Sequence, residues 1–350
     1  MDMLWKAIEV SFETPRSDGG YGIPLMFWGS PGIGKSSIIN QVSKSLNVAL
    51  ETVILSIRDP SDIGGLPVKT ANGVVFEPPI WAKNIVKSNG GIVFFDELNC
   101  SASAVQASAL RVICEGYVGE LKLPKNTLMI AACNPIEQGT NTTDLGPSLS
   151  NRFCHIELEP SPDLFSDWLK LGKSLDISTK RMNMEDWQAE YANVSSVVSE
   201  FISRNSGRFI GNFMDRSFAS PRTWDMACRL WTTCRCKDYL AIDFISGCIG
   251  EGVTNELLNF YAYMDLPDPR VVLNRGVSSL PDMDKIDRVY ACINSVLGYT
   301  IKYPEHAPKF CKILKDLELY DIVNQCTREL INNTLCNSEE ALSLIESLEI

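Results

Sequence analysis

Histidine is nearly absent: His155 and His306 are the only two in 350 residues, so an imidazole-based metal centre has almost no donors. No apolar run approaches the roughly 18 residues that suggest a membrane span. The opening "MDMLWKAIEV" lacks a basic stretch followed by an apolar one, so no secretion leader is read and a cytoplasmic address is the expectation. Positive charge is also short, with 32 Lys and Arg against 43 Asp and Glu and a net charge of −11. That balance disfavours broad nucleic-acid binding, although it leaves room for a local basic patch. There is no internal repeat, no low-complexity tract and no Asn-Lys-x-Asp guanine signature. Cysteine is the exception, at twelve residues with irregular spacing. Without a leader these read as reduced thiols. The cluster Cys228, Cys234 and Cys236 lacks an evident fourth ligand and reads as buried helix cysteines rather than a metal site.

What the chain does contain is an ordered alternation of apolar runs and helical periods. "PLMFW", "ALETVILSI", "GGIVFFDE", "NTLMIAACNP" and "FCHIELEP" read as five strands. Several are apolar without alternation, as expected of a parallel sheet covered on both faces. "SSIINQVSKSLN" and "SASAVQASALRVICEG" read as helices between them, the second with a Gly stop. Such an order over about 150 residues implies right-handed βαβ crossovers. Near Pro160-Ser161-Pro162 the β-branched runs end. "DLFSDWLKLG", "VSSVVSEFIS", "PRTWDMACRLWTTC", "IDRVYACINSVLGYTI" and "FCKILKDLELYDIV" then read as helices. A softer break falls at "MDLPDPRVVLNRGVSSLPD". The expected division is an α/β domain over 1–160, a helical lid over 161–265 and a helical C-terminal extension over 266–350.

The segment most informative about chemistry is Gly29-Ser30-Pro31-Gly32-Ile33-Gly34-Lys35-Ser36-Ser37, between the first strand and the first helix of the alternation. It satisfies G-x-x-x-x-G-K-[ST] in the strand-before, helix-after context that the motif requires. Glycines let consecutive backbone N–H groups turn inward around a polyphosphate, and the helix N-terminus adds its positive end. Lys35 reaches the β- and γ-phosphates, and the Ser36 hydroxyl is a ligand for Mg²⁺. "GIVFFDEL" delivers Asp96 and Glu97 at the end of the third strand. Asp96 is the candidate second Mg²⁺ holder, and Glu97 the candidate general base for an attacking water. Asn134, in "IAACNP", either orients that water or merely starts an Asn-Pro turn. Arg152, in "LSNRFCHIEL", and Arg222, in "SFASPRTWDM", either neutralise developing phosphate charge or make ordinary surface ion pairs.

These features, in this order, resemble the AAA+ ATPases, with Walker A at Gly29–Ser36, Walker B at Phe94–Glu97, sensor 1 at Asn134, an arginine finger at Arg152 and sensor 2 at Arg222. The finer resemblance is to the MoxR-like, dynein-related, helix-2-insert branch. It is carried by "DPSDIGGLP", "DELNCSASAVQASALRVICEGYVG", the "SPR" of sensor 2 and "FYAYMDLPDPRVVLNRG". It covers roughly 20–275. Cys100 departs from it, since many members carry Arg there. The resemblance implies a P-loop NTPase with a parallel five-stranded core sheet, and a Mg²⁺-dependent ATPase that assembles as a ring, usually a hexamer. Arg152 then acts on the neighbouring subunit's γ-phosphate, and Arg222 lies near phosphate in cis or trans. The branch remodels or activates protein partners, often one with a von Willebrand A-type domain. It also inserts a hairpin. "GYVGELKLPKN" is one candidate, with Leu121, Lys122 and Leu123 aimed at a pore or simply returning in a plain hairpin. "GVVFEPPIW" is the other, where Phe76 reads better as a core aromatic than as a substrate grip. Two other classes compete with this reading: a nucleic-acid machine such as a helicase loader or restriction-type translocase, and a nucleotide-gated scaffold. The acidic chain disfavours the first; Glu97, Asn134 and Arg152 argue against the second.

Overall fold

The computed structural model describes residues 2–71, 73–135, 145–160, 182–237, 239–264, 266–317 and 319–333. They fall into two compact units, neither continuous in sequence: 1–181 with 210–234 and 240–253, and 182–209 with 235–239 and 254–350.

The first unit runs through helix α1 (Asp2–Glu13), strand β1 (Leu25–Trp28), helix α2 (Lys35–Ser45), strand β2 (Leu50–Ile54), short helix α3 (Pro60–Gly64), strands β3 (Leu66–Thr70) and β4 (Gly73–Glu77) and helix α4 (Ile80–Lys87). It continues with strand β5 (Gly91–Asp96), helix α5 (Ser103–Glu115), strands β6 (Tyr117–Val118), β7 (Leu121–Lys122) and β8 (Thr127–Cys133), the single turn α6 (Pro147–Ser150) and strand β9 (Cys154–Glu157). Five strands form one sheet in the order β2-β5-β8-β1-β9, every pair parallel. This is the AAA+ P-loop NTPase fold expected. The apolar runs do not alternate because both faces are covered: Leu25, Met26, Phe27, Phe94, Phe95, Ile130 and Ala131 are all fully buried. On one face Met26, Trp28, Val93, Phe95, Met129 and Cys133 pack with Ile85, Val105, Ala109 and Val112 of α4 and α5. All the strand C-termini point to one edge of the sheet, where ligands of such folds bind.

The helices that follow are α7 (Met184–Arg204), α8 (Pro221–Cys236), α9 (Ile242–Ile249), α10 (Glu251–Met264), α11 (Pro269–Arg275), α12 (Ile286–Lys302), α13 (Ala307–Lys315) and α14 (Tyr320–Asn333). Helix α9 lies on the β9 edge of the first unit's sheet. A Cβ added at Gly247 would sit 2.2 Å from the His155 carbonyl oxygen, so only glycine permits that approach. The second unit has its own core, in which Ala189 and Ala192 of α7 meet Val289, Ile293 and Val296 of α12 and Phe310, Val323 and Cys326 of α13 and α14.

Two expectations about elements change. The run "FCKILKDLELYDIV" is two helices rather than one, with α13 ending at Lys315 and α14 starting at Tyr320. "ALETVILSI" leaves the sheet after Ile54 and tightens into a 3₁₀ turn at Leu55–Ile57. "DLFSDWLKLG" lies outside the described residues. Cys228 and Cys234 are buried along α8, and the described residues contain no cluster of three or more metal-ligating side chains. No helix among them is long and apolar enough to cross a membrane.

Candidate functional site

The loop after β1 has a backbone that most residues resist. Gly32 and Gly34 take φ of 81° and 90°, the left-handed region. At Gly29 the limit is space: an added Cβ would lie 2.5 Å from Ile33 Cδ1 and 3.0 Å from the Leu158 carbonyl oxygen. Helix α2 then begins with no side-chain cap and no acid in its first turn, so its leading amides are left to an anion. Pro31, Gly32, Ser36 and Ser37 are exposed along this open loop, while Ser30, Ile33 and Gly34 are half-buried.

Lys35 is buried, and its ammonium donates to the carbonyls of Gly29 at 2.5 Å and Ser30 at 3.1 Å and to Asn134 Oδ1 at 3.2 Å. Burial lowers its pKa below the ordinary lysine value, outweighing the pull of Asp96, Cys133, Cys100 and Glu97. Ser36 Oγ donates to Asp96 Oδ2 at 2.8 Å, and Asp96 Oδ1 accepts from the Glu97 amide at 3.0 Å. A hydroxyl and a carboxylate meeting beside a phosphate-type loop are hard oxygen donors suited to Mg²⁺. The site therefore brings together five of the expected residues: Lys35, Ser36, Asp96, Glu97 and Asn134. All lie at the C-terminal edge of the sheet, on β1, β5 and β8 or just beyond them.

Three further residues support the site, and two of them, Ser56 and Asn99, escaped the sequence reading. Ser56 donates a short hydrogen bond to Glu97 Oε2. Asn99, fully buried, donates to the Asn134 carbonyl at 2.8 Å and accepts from the Asn134 amide at 3.1 Å. That reciprocal pair fixes the Asn134 backbone. Cys100 stands where the resemblance expects an arginine, and its thiol accepts from Asn134 Nδ2 at 3.9 Å. No sequence signal marks Ser56. Asn99 follows the acidic pair closely enough that its place in the motif was visible, though its partner was not.

Arg152 and Arg222 lie elsewhere. Both line a cavity of about 500 Å³ with Pro24, Cys114, Gly116, Lys122, Thr127 and Asp225. Pro24, Thr127 and Arg152 precede or begin β1, β8 and β9, so this cavity lies at the N-terminal edge of the sheet, opposite the glycine loop. Arg152 donates to the Ser148 carbonyl, and its buried Nε has no hydrogen-bond partner among the described residues. The two arginines share one scaffold. Ser150 Oγ donates to the Arg216 carbonyl at 3.1 Å, and Ser220 Oγ donates to Asn151 Oδ1 at 2.9 Å. His155, buried, accepts from Trp28 Nε1 at 2.9 Å and donates from Nε2 to the Ser150 carbonyl at 2.9 Å. Burial is the main cause that drives its pKa down to about 4.

The two hairpin candidates exchange roles. Strands β3 and β4 form an antiparallel hairpin with no residue buried, so Phe76 is an exposed aromatic and not a core one. Strands β6 and β7 form a plain two-residue hairpin. Leu123 then turns into the core at 5% exposure and cannot project into a pore.

Residues 24–153 match the AAA domain (dynein-related subfamily). Among curated proteins, midasin of Dictyostelium discoideum is 29% identical over 209 residues, or 56% of this chain, and midasin of Giardia intestinalis is 25% identical over 164 residues, or 45% of it. Each alignment spans only 3% of the relative's length. The crystal structure of a candidate ATPase from Cytophaga hutchinsonii superposes with a TM-score of 0.44 at 16% identity, covering 74% of this chain and 88% of the other.

Proposed function

We propose that this chain, whose residues 24–153 match the AAA domain (dynein-related subfamily), is an AAA+ ATPase that hydrolyses ATP in a ring of its own copies and uses the cycle to remodel a partner protein. The observation that carries the reading is the convergence of Lys35, Ser36, Asp96, Glu97 and Asn134 at one strand edge, beside an uncapped helix N-terminus.

The roles follow from the geometry. The amides from Gly29 to Ser37 cradle the phosphates, and Lys35 exchanges its carbonyl partners for β- and γ-oxygens. Asn134 then loses its bond to Lys35 and is free to orient water. Glu97, released from Ser56, takes the proton of the attacking water. Ser36 and Asp96 are the residues that would hold Mg²⁺, whose charge neutralises the leaving phosphates. Arg152, on the far side of the sheet from its own loop, serves the γ-phosphate of an adjoining subunit. Arg222 shares that cavity and is assigned to the same neighbour's phosphates. The ring, a hexamer in this reading, thereby couples turnover to assembly. The division into a nucleotide domain over 1–160, a lid over 161–265 and an extension over 266–350 is part of the proposal. So is a partner with a von Willebrand A-type domain, as in the MoxR-like resemblance.

Lys35→Ala is expected to abolish ATP binding measured by calorimetry. Glu97→Gln is expected to bind ATP as wild type does while turnover falls by roughly 10²–10⁴. Glu97→Gln protein that hydrolyses ATP at the wild-type rate contradicts the assignment.

A further inference from the structure

The five residues that converge on the terminal phosphate say nothing about what holds the other end of the nucleotide. Sheet order decides where that end lies. Asp96 and Glu97 follow β5 and Asn134 follows β8, both on one side of β1. With strands roughly 4.8 Å apart, the acidic pair sits about 10 Å from the β1 axis on that side. A triphosphate threaded through the loop with its γ end there must direct its ribose and base the other way, over β1 and β9.

The groups at that place form a built arrangement. Trp28 ends β1, directly before Gly29, and pairs with Glu157 at the end of β9. Its indole, 5% exposed, is fixed by the hydrogen bond to His155. The Arg216 guanidinium lies over the Trp28 ring, 4.3 Å from its centroid, and its Nη1 pairs with Glu157 Oε1 at 3.2 Å. The Arg216 side chain stays 43% exposed. It is therefore a cation seated over an indole and paired with a carboxylate, with much of its side chain open to solvent. Its charge reaches the sheet edge below the loop, where it acts on both Cys133 and His155.

We propose that Arg216 is the stacking surface for the nucleobase, a specificity-determining residue for the nucleotide that the preceding reading places in the loop, and on which this proposal rests. Guanidinium planes stack on aromatic faces from either side, so Trp28, Arg216 and a purine make a three-layer sandwich. Glu157 holds the plane in register. The Arg216 N–H groups not paired with Glu157 are the donors available to base or ribose acceptors. The placement sets this cation over the tryptophan that directly precedes the phosphate loop.

Calorimetric titration with ATP and with inorganic tripolyphosphate, which has no base, separates the possibilities. Arg216→Ala and Arg216→Lys are each expected to weaken ATP binding roughly tenfold and to leave tripolyphosphate unchanged. The lysine variant keeps the charge and the Glu157 pair but lacks the plane, and it guards against a folding defect in the alanine variant. Equal weakening of both ligands, no weakening of either, or full rescue by lysine overturns the proposal. Wild-type protein that binds neither ligand overturns the phosphate-site reading and this inference together, a result distinct from the other three.

Discussion

The Glu97 backbone sits at φ 57°, in the left-handed region that a residue with a long side chain enters at a cost. The strain is consistent with a carboxylate steered toward one spot, and in this structure Ser56 holds it there. Water activation requires that bond to break. Ser56→Ala is therefore expected to raise basal ATP turnover about tenfold, the worth of one hydrogen bond to a carboxylate at about 1.5 kcal/mol. A steady-state phosphate-release assay reads it, and a fall in rate would mean that Ser56 positions Glu97 for reaction. His155 gives a second test at this scale. Its pKa falls from the ordinary 6.5 to about 4, so between those values the unfolded chain binds the proton that the folded chain refuses. Stability from this group is complete above pH 6.5 and is lost as pH falls toward 4, by about 3 kcal/mol in total. Urea unfolding of wild type and His155→Gln from pH 7 to 4 is expected to show the two converging as pH falls; a constant gap would contradict it. Lys35, Asp96 and Glu97 were legible in sequence because motif spacing alone carries them. Ser56, Asn99, His155 and Arg216 were not, because each acts through a partner that only the fold brings near, such as Arg216 on Trp28.

The β3–β4 hairpin is held differently from the elements around it. Leu66, Val74 and Phe76 are 57%, 61% and 45% exposed, so neither face of the ribbon belongs to the core. It rests instead on a close backbone approach: a Cβ added at Gly119, in the turn between β6 and β7, would lie 2.7 Å from the Phe76 carbonyl oxygen. Trp81, at the start of α4, anchors the chain just beyond. Its ring meets Phe95 edge-on at 6.2 Å, and its Nε1 donates to the Asp62 carbonyl at 3.0 Å. Chemical denaturation is expected to show Trp81→Ala losing about 3–5 kcal/mol and Phe76→Ser less than about 0.5. Comparable losses from both would place Phe76 in the core after all. The contrast explains which elements the sequence revealed. Runs such as "GIVFFD" are apolar because both faces are buried, and burial writes the signal. In the hairpin, Val and Phe stand in solvent, so their apolarity mimics a core strand and misleads.

For the whole molecule, the sheet separates two chemistries. The loop with Lys35, Ser36, Asp96, Glu97 and Asn134 occupies its C-terminal edge, and the cavity with Arg152 and Arg222 its N-terminal edge. One protomer cannot present both to a single phosphate in this arrangement, whereas the closed ring proposed above would set one edge against the next subunit's loop. Sequence carried the identity of both arginines but not their opposed placement, since that depends on where β9 begins relative to β1. The same logic makes isolated protomers poor catalysts. The deciding measurement is ATP turnover by a mixture of Arg152→Ala and Glu97→Gln proteins, each inactive alone. In mixed rings, an Arg152→Ala protomer supplies a complete loop and a Glu97→Gln neighbour supplies the arginine. Activity is therefore expected to reappear on mixing, at about a quarter of the wild-type rate for equal, random assembly. Mixtures that assemble and stay as inactive as their components would show that Arg152 serves its own chain, or no phosphate at all.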